Sequence, residues 1–378
     1  MRIDPSQREA AGNGGIRVRG RGSAENPTGR FERLSLDVLP EGGGADDLIF
    51  EEPDPEGRRV PTRVYRDRAR TIINPVDSPD INFKWTVNAY RGCEHGCIYC
   101  YARPTHETFG LSSGLDFESR IFAKLDAPAL LKHELAHPRW TGEAIAMSGI
   151  TDLYQPIERR LGLTRSILEL FLECGQAVSM VTKSALVLRD LDILSAMAQR
   201  RAVRVAVSLT TLDPALSAIM EPRAASPAQR LRAIRELSEA GVPVAVMTAP
   251  IIPGLNDREL PALLAAAARA GARTAGMVLL RLPWQVKDLF IGWLARELPE
   301  KAAGIEARIR ATRGGALTDP RFSTRMTGEG PLAEQIAQTF SVFSRRVGLD
   351  TALDSLNRDA FAVPRAWRDA SGQMRLFD

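Results

Sequence analysis

The sequence predicts an α/β protein built on a parallel sheet. Two observations carry this: six short, apolar, β-branched segments alternate with amphipathic helical segments, and the later strands read as near-continuous apolar runs. The strand signals are Trp85–Ala89, Ala144–Met147, Val178–Thr182, Val203–Leu209, Val242–Ala249 and Ala275–Leu282. Apolar residues at helical spacing predict helices over about 127–136, 158–173, 187–200, 227–240 and 257–270. Asp126 before Ala127-Pro128 and Ser226 before Pro227 read as N-caps with proline in the first turn. Gly241 and Gly271 follow the fourth and fifth helices as left-handed C-caps. The run Met277-Val278-Leu279-Leu280 predicts a sheet buried on both faces, with a right-handed crossover at each step. Periodicity leaves open whether that sheet is doubly wound or a partial barrel.

Around this core, residues 81–285, lie three other segments. Residues 1–80 form an arm, basic then acidic: Arg17, Arg19, Arg21, Arg30 and Arg33 lie among glycines, then Glu41, Asp46, Asp47, Glu51, Glu52, Asp54 and Glu56 surround Gly42-Gly43-Gly44. With few apolar residues to bury, the arm is expected to be flexible and its arginines solvated. Residues 286–365 form a helical extension, with helices expected at 286–297, 300–311 and 332–346 on the rim of the core, and residues 366–378 form a polar tail.

The chain has 378 residues, 44% hydrophobic and 25% charged, with a net charge of +4, which is compatible with a nucleic-acid partner and does not require one. Its four cysteines, three of them clustered, exclude a disulfide scaffold and suit a reducing cytoplasm. No stretch approaches the roughly 18 uninterrupted apolar residues of a membrane span, and no signal peptide is read at the N-terminus.

The clustered cysteines lie in Arg91-Gly92-Cys93-Glu94-His95-Gly96-Cys97-Ile98-Tyr99-Cys100-Tyr101, immediately after the first strand signal. The spacing C-x3-C-x2-C lets three thiolates hold three irons of a cubane [4Fe-4S] cluster and leaves the fourth iron open to a chelating ligand. The same thiolates with His95 or His106 would also make a structural zinc site. Cys174 ends a helix before Gly175 and reads as inert packing. Glu221 and Arg223, separated only by Pro222, read as an ordinary surface pair, and Asn256 or Asp257 as the cap of the next helix.

The C-x3-C-x2-C run, with Tyr99 just before its last cysteine, resembles the signature of the radical S-adenosylmethionine (SAM) enzymes. The segments Asn88 to Arg103, Thr151 to Glu158, Val181 to Ser184 and Pro250 to Gly254 are similar to the spore photoproduct lyase branch of that superfamily, and Arg19-Gly20-Arg21-Gly22 to a bacterial subgroup of it whose reaction is unassigned. The resemblance spans about residues 70–285 and implies a (β/α)6 partial TIM barrel with the cysteine loop after its first strand. It implies that Cys93, Cys97 and Cys100 ligate a [4Fe-4S] cluster whose open iron binds SAM, and that an electron from a flavodoxin- or ferredoxin-type donor cleaves SAM to methionine and a 5′-deoxyadenosyl radical. It places Ser148, Gly149, Thr151 and Asp152 at the SAM amino group, Lys183 at its carboxylate, Ser184 and Ser208 at the ribose, and Tyr99 beside cluster and adenine. The lyase branch uses a cysteine hydrogen donor after the second strand; here that stretch is Ser148-Gly149-Ile150-Thr151-Asp152, with no thiol.

The tail adds Gln373-Met374-Arg375-Leu376-Phe377, which resembles the peptide by which bacterial replication and repair proteins bind the DNA sliding clamp: Gln373 would anchor by hydrogen bonds while Leu376 and Phe377 fill an apolar pocket. The expectation is a cytoplasmic radical SAM enzyme acting on DNA, in repair or modification. Two alternatives stand beside it: RNA, protein or peptide as the substrate, and a zinc-containing clamp-interaction protein without catalysis.

Overall fold

The computed structural model describes residues 18, 20–30, 48–52 and 60–369. Its strands are β1 (Leu48–Glu52), β2 (Thr62–Arg66), β3 (Ile73–Pro75), β4 (Trp85–Val87), β5 (Tyr90–Arg91), β6 (Arg120–Ala123), β7 (Ile145–Met147), β8 (Val178–Thr182), β9 (Val203–Ser208), β10 (Val244–Ile251) and β11 (Thr274–Leu279). The main sheet has the order β11-β10-β9-β8-β7-β4-β3. Its six strands from β4 to β11 run parallel, with helices in the crossovers, and β3 adds an antiparallel edge on β4. These six are the strands expected from the sequence, shifted by at most a few residues at their ends. The sheet is open, with β3 and β11 at its edges.

Five helices match their sequence limits closely: Ala127–Ala136, Pro227–Glu239, Val286–Glu297, Pro299–Ala311 and Pro331–Arg346. The stretch 158–173 breaks at Gly162, φ 65°, into Glu158–Leu161 and Leu163–Cys174. Ser226 caps its helix through a reciprocal bond with Gln229. Asp126 does not cap; its carboxylate pairs instead with Arg66 across an exposed surface, at 3.1 Å. Asn256 and Asp257 do not cap either: Asn256 accepts from Ile252 N–H at 2.7 Å and donates to Thr210 O at 2.8 Å, tying the loop after β9 to the loop after β10.

Two expectations fail for physical reasons. The main sheet is not buried on both faces. Along β8, β9 and β10 the residues that face the helices (Val178, Met180, Val203, Val205, Val207, Val244, Val246) are fully buried, while Val181, Ala206, Ala245 and Met247 on the other face are partly open. Those residues stand side by side, Val181 beside Ala206 and Ala206 beside Ala245, and line the hollow of a curved sheet. Nor is the N-terminal arm wholly without structure. Residues 20–30 pack onto the core, and β1 and β2 join β6 and β5 in a second sheet, order β1-β2-β6-β5, that backs the cysteine loop. Arg17, Arg19 and Arg33, and the acidic residues Glu41, Asp46, Asp47, Asp54 and Glu56, lie outside the described residues, as do Gln373, Leu376 and Phe377.

The helical extension does more than cover a rim. Phe290, Trp293, Ile305 and Ile309 pack with Ile98 and Tyr99 beneath the cysteine loop, and Ala333 and Ile336 pack with Ile251, Leu260 and Leu279 at the β11 edge.

Candidate functional site

The cysteine loop leaves the C-terminal end of β4, at the mouth of the hollow. Two glycines shape it. Gly92, φ 78°, turns so tightly that a Cβ would stand 2.8 Å from the His106 ring, and a Cβ on Gly96, φ 67°, would stand 2.8 Å from the Glu118 carboxylate. Backbone bonds then pin it: Cys93 N–H to Phe117 O at 3.0 Å and Ile98 N–H to Met220 O at 3.0 Å. Cys93 and Cys97 are buried and Cys100 is half-buried, and burial pushes the Cys93 and Cys97 thiols well up from their ordinary range.

A ring of buried charge holds the loop from outside. Glu94, fully buried, accepts from Thr62 Oγ1 at 2.9 Å, from Ile157 N–H at 2.6 Å and from Arg223 at 3.0 Å. Arg103, also fully buried, donates to Cys97 O at 2.8 Å and pairs with Glu118 at 2.5 Å. Glu221 and Arg223 are therefore not a surface pair. Arg223 reaches Glu94, while Glu221, 1% exposed, pairs with Arg230 and accepts a hydrogen bond from the Tyr99 hydroxyl. The sequence signal for these residues was weak, because each is a charged side chain in a loop and its partner lies far along the chain.

The segment after β7 crosses the mouth beside the loop. Asn88 Oδ1 accepts from Gly149 N–H at 3.0 Å and holds the turn. Ser148 has φ 80°, and its buried hydroxyl oxygen lacks a hydrogen-bond partner. Thr151 and Asp152 are committed to the protein. Thr151 Oγ1 donates to Gly92 O at 2.5 Å, and the Asp152 carboxylate accepts from Thr182 Oγ1 at 2.7 Å, Lys183 N–H at 2.7 Å and Tyr154 N–H at 2.9 Å, with His95 Nδ1 at 3.4 Å. Burial opposes the Asp152 charge, yet the His95 imidazole and the N–H donors hold its carboxyl down at about 2.

Farther round the mouth, the Ser184 hydroxyl caps the turn that follows β8, accepting from Leu186 N–H at 3.2 Å, and the Ser208 hydroxyl donates to Ala249 O at 3.1 Å. Lys183 lies with its Nζ 5.7 Å from the centre of the Tyr99 ring and is close enough to Cys97 to favour its thiolate. Thus Tyr99, Ser148, Gly149, Thr151, Asp152, Lys183, Ser184 and Ser208 all gather at the strand ends around the loop, but the side chains of Thr151, Asp152, Ser184 and Ser208 already serve protein partners.

The donor set suits a cluster better than a single ion. Among the described residues no three His, Cys, Asp or Glu side chains gather closely enough to hold one ion, whereas a cubane takes three thiolates on three separate irons. Of the two histidines a zinc site would draw on, His95 faces Asp152 through Nδ1 and His106 faces Arg120 O through Nε2 at 2.9 Å, with burial holding the His106 pKa down at about 4. The orphaned Ser148 hydroxyl, the Lys183 cation and the open hollow fit a zwitterionic ligand beside the loop. Cys174 is remote. It ends the helix that precedes β8, at the opposite end of the strands, buried in the main core.

Four exposed aromatic side chains each lie under an arginine: Trp284 under Arg30 at 3.9 Å, Phe322 under Arg325 at 4.2 Å and Tyr101 under Arg281 at 5.5 Å, with Phe109 under Arg91 at 5.1 Å on the second sheet.

The chain is 40% identical over 234 residues to an uncharacterized protein of Mycobacterium tuberculosis, covering 61% of this chain and 69% of that one. It is 31% identical over 196 residues to an uncharacterized protein of Methanocaldococcus jannaschii, covering 52% of this chain and 70% of that one. A solved structure of a spore photoproduct lyase mutant has a similar fold, with a TM-score of 0.50 at 18% identity, covering 75% of this chain and 79% of that one. Residues 87–267, the span from β4 through the helix after β10, match the model of the radical SAM superfamily, whose members use a [4Fe-4S] cluster and S-adenosylmethionine. The chain belongs to the radical SAM superfamily.

Proposed function

We propose that this protein is a radical SAM enzyme that acts on nucleic acid. Cys93, Cys97 and Cys100 hold the [4Fe-4S] cluster; Ser148, the backbone of Gly149 and Lys183 hold S-adenosylmethionine in the hollow of the sheet; the substrate approaches over the arginine-covered aromatic rim. When bound, cluster and S-adenosylmethionine supply one-electron cleavage of the sulfonium and a carbon radical for hydrogen abstraction. The protein's own residues fix the loop, exclude water beneath it through Ile98, Tyr99 and Trp293, and leave the mouth open. Lys183 offers a cation to the ligand's carboxylate, and the Ser148 hydroxyl oxygen accepts from its amino group. The small residues Ala206 and Ala245 leave it room.

The rim carries the nucleic-acid reading. Tyr101 follows the third cysteine directly, and Trp284 lies in the loop after β11, so both stand where a substrate must pass. Aromatic faces stack on bases, an interaction worth roughly 1–3 kcal/mol per stacked base. Anaerobic reconstitution, reduction with dithionite and addition of S-adenosylmethionine is expected to give a brown protein and 5′-deoxyadenosine. Deuterated oligonucleotides are expected to transfer deuterium to that product and deuterated peptides are not; deuterium arriving from peptides alone would overturn the substrate. Trp284→Ala is expected to weaken single-stranded oligonucleotide binding about tenfold or more.

The tail peptide Gln373 to Phe377 supports a second contact, with the DNA sliding clamp. Removing residues 373–378 is expected to abolish capture by immobilised clamp, and unchanged capture would discard it.

A further inference from the structure

The N-terminal segment 20–30 is inlaid into the back of the cysteine loop. A Cβ on Gly22 would fall 1.8 Å from Gly96 O, and a Cβ on Gly114 would fall 1.9 Å from Glu25 O, so backbone meets backbone at two places. Leu115 N–H donates to Glu25 O at 3.1 Å. Between these contacts sits Glu118, fully buried, whose carboxylate accepts from Gly22 N–H at 3.0 Å, Ser23 N–H at 2.8 Å and Arg103 at 2.5 Å. Arg103 in turn grips Cys97 O through Nε at 3.0 Å and Nη2 at 2.8 Å. Arg21 adds a second line. It donates to Glu118 O at 2.6 Å and to Thr62 Oγ1 at 3.0 Å, and Thr62 donates to Glu94, the residue after Cys93. At its far end the segment crosses to the rim, where Arg30 pairs with Glu107 at 2.5 Å and lies over Trp284.

A buried carboxylate that loses two of its three donors keeps only its arginine partner and is left with unmet acceptor sites, a cost that the surrounding loop can relieve by opening. Burial, and hydrogen bonding around the thiolates, set both the stability and the potential of an iron–sulfur cluster. We infer that residues 20–30 form a strap that positions the cluster loop, with Gly22 and Glu118 as the positioning residues, so that cluster retention and potential depend on an N-terminal segment outside the barrel. This rests on the proposal that Cys93, Cys97 and Cys100 hold the cluster.

The test uses the full-length reconstituted protein. By linkage, a strap that favours the loaded loop is itself favoured by loading. Hydrogen exchange at residues 20–30 is therefore expected to slow about tenfold when the cluster is built in, a measurement that needs no variant. Gly22→Ala, which forces the strap off Gly96, and Glu118→Gln, which keeps the shape and removes the charge, are expected to release iron to a chelator about tenfold faster. Both are also expected to shift the midpoint potential and the electron paramagnetic resonance line shape of the reduced cluster. Gly304→Ala, whose added Cβ meets open space, is expected to match the wild type. Wild-type protein that binds iron but shows unchanged exchange in the strap, or unchanged release and potential in both variants, overturns the strap alone. Wild-type protein that takes up no iron overturns the cluster proposal and the strap with it.

Discussion

Replacing Asp152 by asparagine removes the anchor between the segment after β7 and the cysteine loop. The carboxylate accepts three short hydrogen bonds, from Thr182, Lys183 and Tyr154, and faces His95. Burial alone would raise its pKa; the His95 imidazole and the N–H donors reverse that and hold it at about 2, against an ordinary 3.8. At about 1.4 kcal/mol per factor of ten, this difference is worth roughly 2–3 kcal/mol. Because the folded pKa lies below the unfolded one, the contribution is fully present above about pH 4 and is lost as the pH falls through about 2. Asp152→Asn keeps the volume, loses the charge, and turns one acceptor into an amide that meets N–H donors. The variant apo-protein is expected to unfold in urea at a lower midpoint with an unchanged slope, about 2–3 kcal/mol less stable near neutral pH. Repeating the titration at successively lower pH is expected to close the gap, since the wild type loses its advantage on protonation. A gap below about 0.5 kcal/mol, or one that stays constant from about pH 6 to about pH 2, would refute the assignment of Asp152 as a charged structural hub.

Two further substitutions separate ligand contacts from packing. Ser148→Ala removes a hydroxyl that bonds nothing in the protein, so apo stability is expected to hold while S-adenosylmethionine, measured by calorimetry on the reconstituted protein, binds about five- to tenfold more weakly; a loss of stability with unchanged binding would reverse that assignment. Cys174→Ser puts a hydroxyl into the main core and is expected to cost about 1–3 kcal/mol while leaving iron content and visible absorbance at wild-type values. Loss of iron in that variant would mean that the cluster draws on a fourth cysteine.

Much of the core was legible because local chemistry decides it. β8 was read to the residue because Val178 to Thr182 is bounded by Gly175 and Ser184, and the Ser226 N-cap was legible because the N–H it accepts from lies three residues on. The cysteine spacing was legible for the same reason: the loop that carries it is contiguous. Asp126 was misread because an exposed arginine on another strand competes for its carboxylate, and the Gly162 break because its left-handed turn had no proline or cap to announce it. Glu221 looked like a surface charge because Tyr99 and Arg230, which neutralise and bury it, come from two other segments of the chain.

The sequence by itself determined the alternation of strand and helix, the position of the cysteine loop after the first strand of the parallel core, and the absence of a thiol at Ser148 to Asp152. These follow from periodicity, spacing and residue identity, which act over a few residues. Only the tertiary structure decided that one face of the sheet stays open, that Thr151, Asp152 and Ser208 serve distant protein partners, and that Arg21-Gly22-Ser23 reaches the back of the cysteine loop. Each of those depends on desolvating a charge or a backbone group against a partner up to about a hundred residues away, with Gly22 and Glu118 separated by 96. Whether such a partner is present is decided by packing, and no local pattern in the chain records it.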